Sequence, residues 1–271
     1  MVAMPERYIS EILHQFPGIA HHTAPLTGIE ATMYNRLWRS IIDGKLRPGA
    51  KLREGAICET FGVSRTLVRK VLLIMEHEGI VHLPPNHGAY VATPSSEEAR
   101  DVCEAAKLIG IYTASGLADP AQEVSKENVR RIEKMIALQE KAEEEGDFTQ
   151  ARRISGEFQI LLAHVYGNKI LAAQFENLIT RLAMSMTLYQ AGRLQPPRAQ
   201  WQTELLAKIL NHDKEQVVAL MRNFYHSIEN SLQFSIGSEE PNLKAILIET
   251  ASLPPRPSGQ GKRQKGKASG T

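Results

Sequence analysis

The feature that most constrains this chain is the close spacing of breaks between Ile29 and Pro94. Met33, Leu37, Ile41 and Ile42 recur at helical intervals until Asp43-Gly44 stops them, and Leu46-Arg47-Pro48-Gly49 reads as a turn. A second short helix is expected over residues 54–61, closed by the tight break Gly62-Val63. Ser64 is placed to cap a third helix, residues 65–78, whose Val68, Val71, Leu72 and Met75 share one face and which Gly79 ends. The β-rich runs 80–83 and 89–92 flank Pro84-Pro85-Asn86-His87-Gly88, the pattern of a hairpin. Three helices and a hairpin within about 65 residues make a winged helix-turn-helix.

Beyond Pro94 the pattern is helical throughout. Ser95-x-x-Glu98 is a capping box opening a helix to about residue 117, and Ser125 caps another to about 145 with Val129, Ile132, Ile136 and Leu138 as its apolar set. Asp147 starts a third helix ending at Gly167. Asn168 starts a fourth ending near Gly192, and Pro196-Pro197 breaks the chain. Helices over 198–211 and 213–235 complete six segments joined by short loops. The expected fold class is therefore mainly α, an N-terminal winged helix-turn-helix followed by an antiparallel α-helical bundle. The expected boundaries are an arm or linker at 1–28 (with room for a short helix at 5–16), the winged helix at 29–94, and the bundle at 95–253. A tail at 254–271, rich in Pro, Gly, Lys, Arg and Ser, is too polar to fold. Residues 242–251 have room for one more short helix.

Composition narrows the function. At 42% hydrophobic residues the chain can bury a real core, which excludes a disordered or fibrous protein. The net charge of +2 is unevenly divided: nine Lys/Arg face six Asp/Glu over 29–94, seventeen face twenty-two over 95–253, and five stand unopposed in the tail. A basic front and an acidic body point to one part facing a polyanion. No window approaches the ~18 apolar residues of a membrane span, and the start lacks the form of a secretory signal. Cys58 and Cys103 have no CxxC or metal-ligand spacing. A cytoplasmic protein with no membrane partner is expected. No HExxH, GxSxG, Walker loop or dinucleotide fingerprint is present, so no catalytic residues are assigned and an enzyme is not expected. His77, His82 and His87 recur every five residues but fall on a helix, a strand and a turn, and Cys103 reads as a small core residue.

The stretch Leu46-x-Pro48-Gly49-x-x-Leu52-x-Glu54, then Phe61-Gly62-Val63-Ser64-Arg65-Thr66-x-Val68-Arg69, then His87-Gly88-Ala89-Tyr90-Val91, closely resembles the winged helix of GntR-type bacterial transcription regulators. The helical body, with Asn211-His212-Asp213 and Leu220-Met221-Arg222 near its end, resembles the FCD effector-binding domain of the fatty-acid-regulator subfamily. The resemblance implies a homodimer on a palindromic double-stranded DNA operator. It places DNA contacts at Ser64, Arg65, Thr66 and Arg69 at the start of the recognition helix, and at His87 and Gly88 on the wing tip. That end of a recognition helix enters the major groove, where Arg takes guanine O6 and N7 together. Gly55 and Trp38 stand where members carry further arginines.

The FCD resemblance also implies a small-molecule effector, an organic acid or related metabolite, sensed in the bundle. Many members hold it through a metal bound by one Asp and three His. The matching positions here fall on Ser155, Gln159, Gln202 and Phe224, none a strong ligand for a divalent ion, so neither a metal nor a cofactor is expected. Ala106 and Gly110 likewise replace an Arg and a Glu common on the first bundle helix. What remains is a polar, uncharged floor of Ser155, Gln159 and Gln202, with Arg181 and His226 as further candidate effector contacts. Two other readings stay open: a ligand-independent DNA-binding dimer, and a metal-dependent, carboxylate-sensing FCD regulator.

Overall fold

A computed structural model of the chain describes residues 28–190 and 198–232, together with Ile12, Leu13 and Leu26. The tail at 254–271, the short helix at 242–251 and most of the arm lie outside the described residues. Ile12 and Leu13 are buried in the same core cluster as the bundle helices.

The first lobe consists of α1 (Gly28–Ile42), β1 (Lys51–Leu52), α2 (Glu54–Phe61), α3 (Arg65–His77), β2 (Val81–His82) and β3 (Ala89–Val91). Local chemistry accounts for most of these limits. Gly62 ends α2 in the left-handed region at φ 65°, its amide donating to the Cys58 carbonyl, a conformation that costs glycine little. The Ser64 hydroxyl then accepts from the Leu67 amide at 3.3 Å and starts α3. The apolar stripe Val68, Val71, Leu72 and Met75 is buried against α1, whose Met33, Leu37 and Ile41 are also buried. The sheet has three antiparallel strands in the order β1-β3-β2, with Leu52 paired to Ala89 and Val81 to Val91. β1 corrects the expectation of a two-stranded hairpin. Two residues are too few to show a period of two, so only pairing with β3 reveals the strand.

Six helices follow among the described residues: α4 (Ser96–Leu117), α5 (Lys126–Glu144), α6 (Phe148–Tyr166), α7 (Lys169–Tyr189), α8 (Ala199–Leu210) and α9 (Lys214–Ser231). Five of them open on a side-chain cap. Ser95 accepts from Glu98, Ser125 from Asn128, Asp147 from Gln150, Asn168 from Leu171 and Asp213 from Gln216, all through backbone amides. Each such cap contributes about 1 kcal/mol. α7 and α9 stop a turn short of the expected ends, and Gln190 and Leu232 just past them form an isolated antiparallel bridge. α4 packs on α6, α7, α8 and α9, and α5 on α6 and α8, around Phe158, Phe175, Met135 and Tyr225.

α7 also belongs to the first lobe. Its Met184 is 1% exposed and lies in the winged-helix core rather than the bundle core. Around it, the Asn177 amide donates to the Glu78 carbonyl at 3.2 Å, Tyr34 donates its hydroxyl to the Glu78 carboxylate, and the Tyr189 hydroxyl donates to the Pro94 carbonyl at 2.8 Å. A second tie comes from α6: Arg153 Nη1 lies 3.1 Å from Asp43 Oδ1 at the end of α1, with side chains only 7% and 11% exposed. Arg153 also lies 3.9 Å from Glu157 and over the Trp38 ring. Removing the cation leaves the buried Asp43 carboxylate without its ion-pair partner, so Arg153→Met is expected to cost about 3 kcal/mol or more. Asp43→Asn should cost less. Urea unfolding midpoints of the parent and the two variants measure this order, and parental midpoints in both variants would show that the pair adds nothing to the joint.

Candidate nucleic-acid interface and bundle interior

α3 buries one face and leaves its start in solvent. Ser64, Arg65, Thr66, Arg69 and Lys70 are all exposed, while Val68 between them is fully buried. The cap that ends the preceding turn thus points the first turn of α3, with two arginines four residues apart, away from the core. Arg69 is not loose: its Nε lies 3.2 and 3.1 Å from the two carboxylate oxygens of Glu54 in α2. This holds the side chain through Nε–H and leaves the outer guanidinium N–H groups for another partner. Arg69 is 69% exposed, so the bridge adds only about 0–1 kcal/mol and acts mainly on orientation. Nothing in the sequence pattern marked Glu54 for this role, because residues on two separate helices carry no common period.

The wing tip turns through Asn86 at φ 62° and Gly88 at φ 84°, and the His87 amide donates to the Pro84 carbonyl at 3.1 Å. His87 and Gly88 are exposed, and the Lys51 side chain of β1 lies beside them, 3.8 Å from where a Gly88 Cβ would stand and over the Tyr90 ring. The added strand thus brings a lysine to the wing. Arg36 and Arg53 are exposed on the same lobe. Trp38 is buried at 6%, in the joint between the lobes.

The five candidate effector residues fall in three places. Ser155, Gln159 and Gln202 are 4%, 1% and 0% exposed, inside the bundle. Arg181 is at the joint, paired with Glu98 at 2.6 Å and packed beside Gly79. His226 is on the outside of α9, 70% exposed and 3.8 Å from Glu229. The structure does not bring Arg181 or His226 to the buried glutamines.

The buried set contains its own anomaly. Among the described residues, neither amide atom of Gln159 has a hydrogen-bond partner. Gln202 donates to Gln139 at 2.7 Å, and Gln139 donates to Glu143 at 2.9 Å, but the Gln202 oxygen has no donor. The Tyr225 hydroxyl is also buried and unpartnered, and burial holds its pKa well above the ordinary range. Tyr225 stands where a Cβ on Gly110 would come within 2.6 Å of its hydroxyl, so Gly110 is the space that admits it. Phe158, Trp201 and Phe224, the chain neighbours of Gln159, Gln202 and Tyr225, form an aromatic row across α6, α8 and α9, with Phe158 edge-on to Trp201 and Trp201 stacked on Phe224. Gln139 and Tyr225 were not read from the sequence, where a glutamine or tyrosine on a helix has no mark of burial.

The metal common in FCD domains does not fit these residues. Two amides, a hydroxyl and a phenyl ring supply no imidazole, thiolate or carboxylate at the matching positions, and a neutral amide oxygen such as that of Gln159 is a weak ligand for a divalent transition metal. Among the described residues no three His, Cys, Asp or Glu side chains come together as a metal cluster. What the arrangement offers is directed, neutral hydrogen bonding in an apolar surrounding. An unpaired buried amide costs about 1–3 kcal/mol. Gln159→Leu is therefore expected to raise the melting temperature of the ligand-free protein, as scanning calorimetry would record. A lower melting temperature would mean that Gln159 is satisfied in solution.

Comparison with known proteins agrees with this geometry. The family described as "Bacterial regulatory proteins, gntR family" matches residues 30–91, and the FCD domain matches 102–227, together more than half of the chain. The HTH-type transcriptional regulator YdhC of Bacillus subtilis (strain 168) is 27% identical over 145 residues, 53% of this chain and 63% of that protein. An HTH-type regulator in an unstable DNA locus of Streptomyces ambofaciens is 31% identical over 113 residues, 40% of this chain and 48% of that protein. The chain thus spans about half to two thirds of these relatives. The crystal structure of a GntR transcriptional regulator from Rhodococcus sp. RHA1 superposes with a TM-score of 0.67 at 20% identity, covering 75% of this chain and 97% of that one.

Proposed function

We propose that this chain, which belongs to the GntR family of bacterial regulatory proteins and carries an FCD domain, is a ligand-responsive transcription regulator. Its relatives are transcriptional regulators and not enzymes. In this reading it binds a palindromic operator as a homodimer in the cytoplasm. It senses a small organic acid or related metabolite inside the bundle without a metal. No described helix is long and apolar enough to cross a membrane, which suits a regulator of DNA.

The observation that carries the reading is the exposed basic start of α3, Arg65, Thr66 and Arg69, aimed outward by a buried stripe and steadied by Glu54. His87, Gly88 and Lys51 on the wing support it, as does the concentration of positive charge in this lobe against an acidic bundle. One such lobe makes few base contacts, and two-fold repetition supplies the remaining specificity. Leu108 and Tyr112 on α4, 65% and 57% exposed, offer apolar surface that favours a second copy. For sensing, the support is the unpartnered amide of Gln159: a ligand that completes its hydrogen bonds binds one packing of the helices better than another and shifts the population between them.

Selection of bound duplexes from a random DNA pool is expected to return a palindrome. On that duplex Arg65→Ala and Arg69→Ala should each lose about 1–3 kcal/mol of specific affinity while unfolding as the parent does. Parental affinity in both variants would overturn the assignment of α3.

Sensing has a separate test. A thermal-shift panel of organic acids and their amides should give at least one compound that raises the melting temperature and changes operator affinity, with Gln159→Leu weakening both responses. If no compound alters operator affinity, the ligand-independent dimer is the correct reading. Stoichiometric zinc, nickel or manganese in untagged protein would favour the metal-dependent one.

A further inference from the structure

Where the end of α1 meets α6 and α7, a cleft of about 90 Å3 opens to solvent. Trp38 and Ile42 line it from α1, Ile160 from α6, and Ile179 and Ala183 from α7. Four charged side chains also reach it: Asp43, Glu157, Arg152 and Arg153. Their pairing is uneven. Arg153 serves both carboxylates, at 3.1 Å to Asp43 and 3.9 Å to Glu157. Arg152, its neighbour on α6, is half-buried and makes no ion pair or hydrogen bond with any described residue. A guanidinium drawn out of water is normally matched by an anion or by acceptors. Burial alone lowers the pKa of Arg152 from its ordinary value, with no carboxylate acting in the other direction.

We propose that this cleft is a second ligand site, distinct from the bundle interior, and that it takes a small amphipathic monocarboxylate. Arg152 receives the carboxylate through its planar fork, the geometry that suits a carboxylate best. The apolar body lies against Trp38, Ile160 and Ile179. Asp43 and Glu157 near the same space disfavour a dianion such as a phosphate monoester, so a single negative charge is the match. Because both lobes supply wall, an occupant holds α1 against α6 and α7 and stabilises that arrangement by linkage.

The chain's two tryptophans make the site separately observable, since Trp38 lines the cleft while Trp201 stacks on Phe224 in the bundle. Full-length Trp201→Phe protein, with Trp38 as sole reporter, is titrated with sodium hexanoate and sodium phenylacetate, then with the matching neutral amides. A saturable change in Trp38 emission is expected with at least one carboxylate, and at least about tenfold weaker binding of its amide. Arg152→Gln in the same background should weaken the carboxylate about tenfold or more, and Arg152→Lys, which keeps the charge but not the fork, by an intermediate factor. Thermal unfolding of each variant without ligand checks that the fold is intact, and the Lys variant carries the test if the Gln variant does not fold. No saturable change with either carboxylate up to about 10 mM overturns the proposal, as does parental affinity in the Arg152 variants. Full-length Trp38→Phe protein reports on Trp201 instead. A carboxylate response seen there alone, unchanged by Arg152→Gln, places the ligand in the bundle and sinks the second site while leaving the sensing proposal standing.

Discussion

One buried guanidinium ties the halves of this protein together. Arg153 leaves water almost completely to meet Asp43 at the end of α1, Glu157 on its own helix and the face of Trp38. A charge in that position is tolerated only while its partners stay in place, so α1 and α6 cannot slide past one another without exposing or orphaning it. Met184 adds an apolar version of the same constraint, because the winged-helix core is closed by a side chain from α7. The first lobe is therefore completed by the second, and its packing depends on where α6 and α7 stand.

This joint gives the proposed sensing a physical route. α1 packs on α3, and α7 packs on both α1 and α4. A change in the bundle that moves α6 or α7 must be accommodated at α1, which also packs on α3. Packed cores favour discrete arrangements over continuous deformation, so a small preference of a ligand for one bundle packing is converted into a choice between positions of the first lobe.

The interior of the bundle has a different economy. Gln139 and Gln202 satisfy each other in part, whereas Gln159 and Tyr225 keep polar atoms without partners in an apolar surrounding. Such groups are expensive in a finished core and useful in a receptor, where a ligand completes the missing bonds. Tyr225 also gives a physical reason for Gly110: the aromatic ring occupies the space that any side chain there would need.

The helices, their capped starts and the buried stripe of α3 were legible in the sequence because their causes are local. Ser64, Ser95, Ser125, Asp147, Asn168 and Asp213 all act within three residues of themselves, and an apolar stripe repeats within each turn. Ser155 and Gln159 are buried together for the same reason, being four apart on one helix. What depends on how helices rotate and dock was not legible. Arg181 is drawn to Glu98 at the joint, His226 faces solvent, and β1 exists only by pairing with β3. The pairs Glu54–Arg69 and Asp43–Arg153 join residues fifteen and 110 apart, with no period linking them. The sequence by itself determined the helices, the family and the exposed basic start of α3, because periodicity and caps are short-range. Only the tertiary structure decided which polar side chains share a buried space, because that depends on the mutual rotation of packed helices, to which one chain read in order has no access.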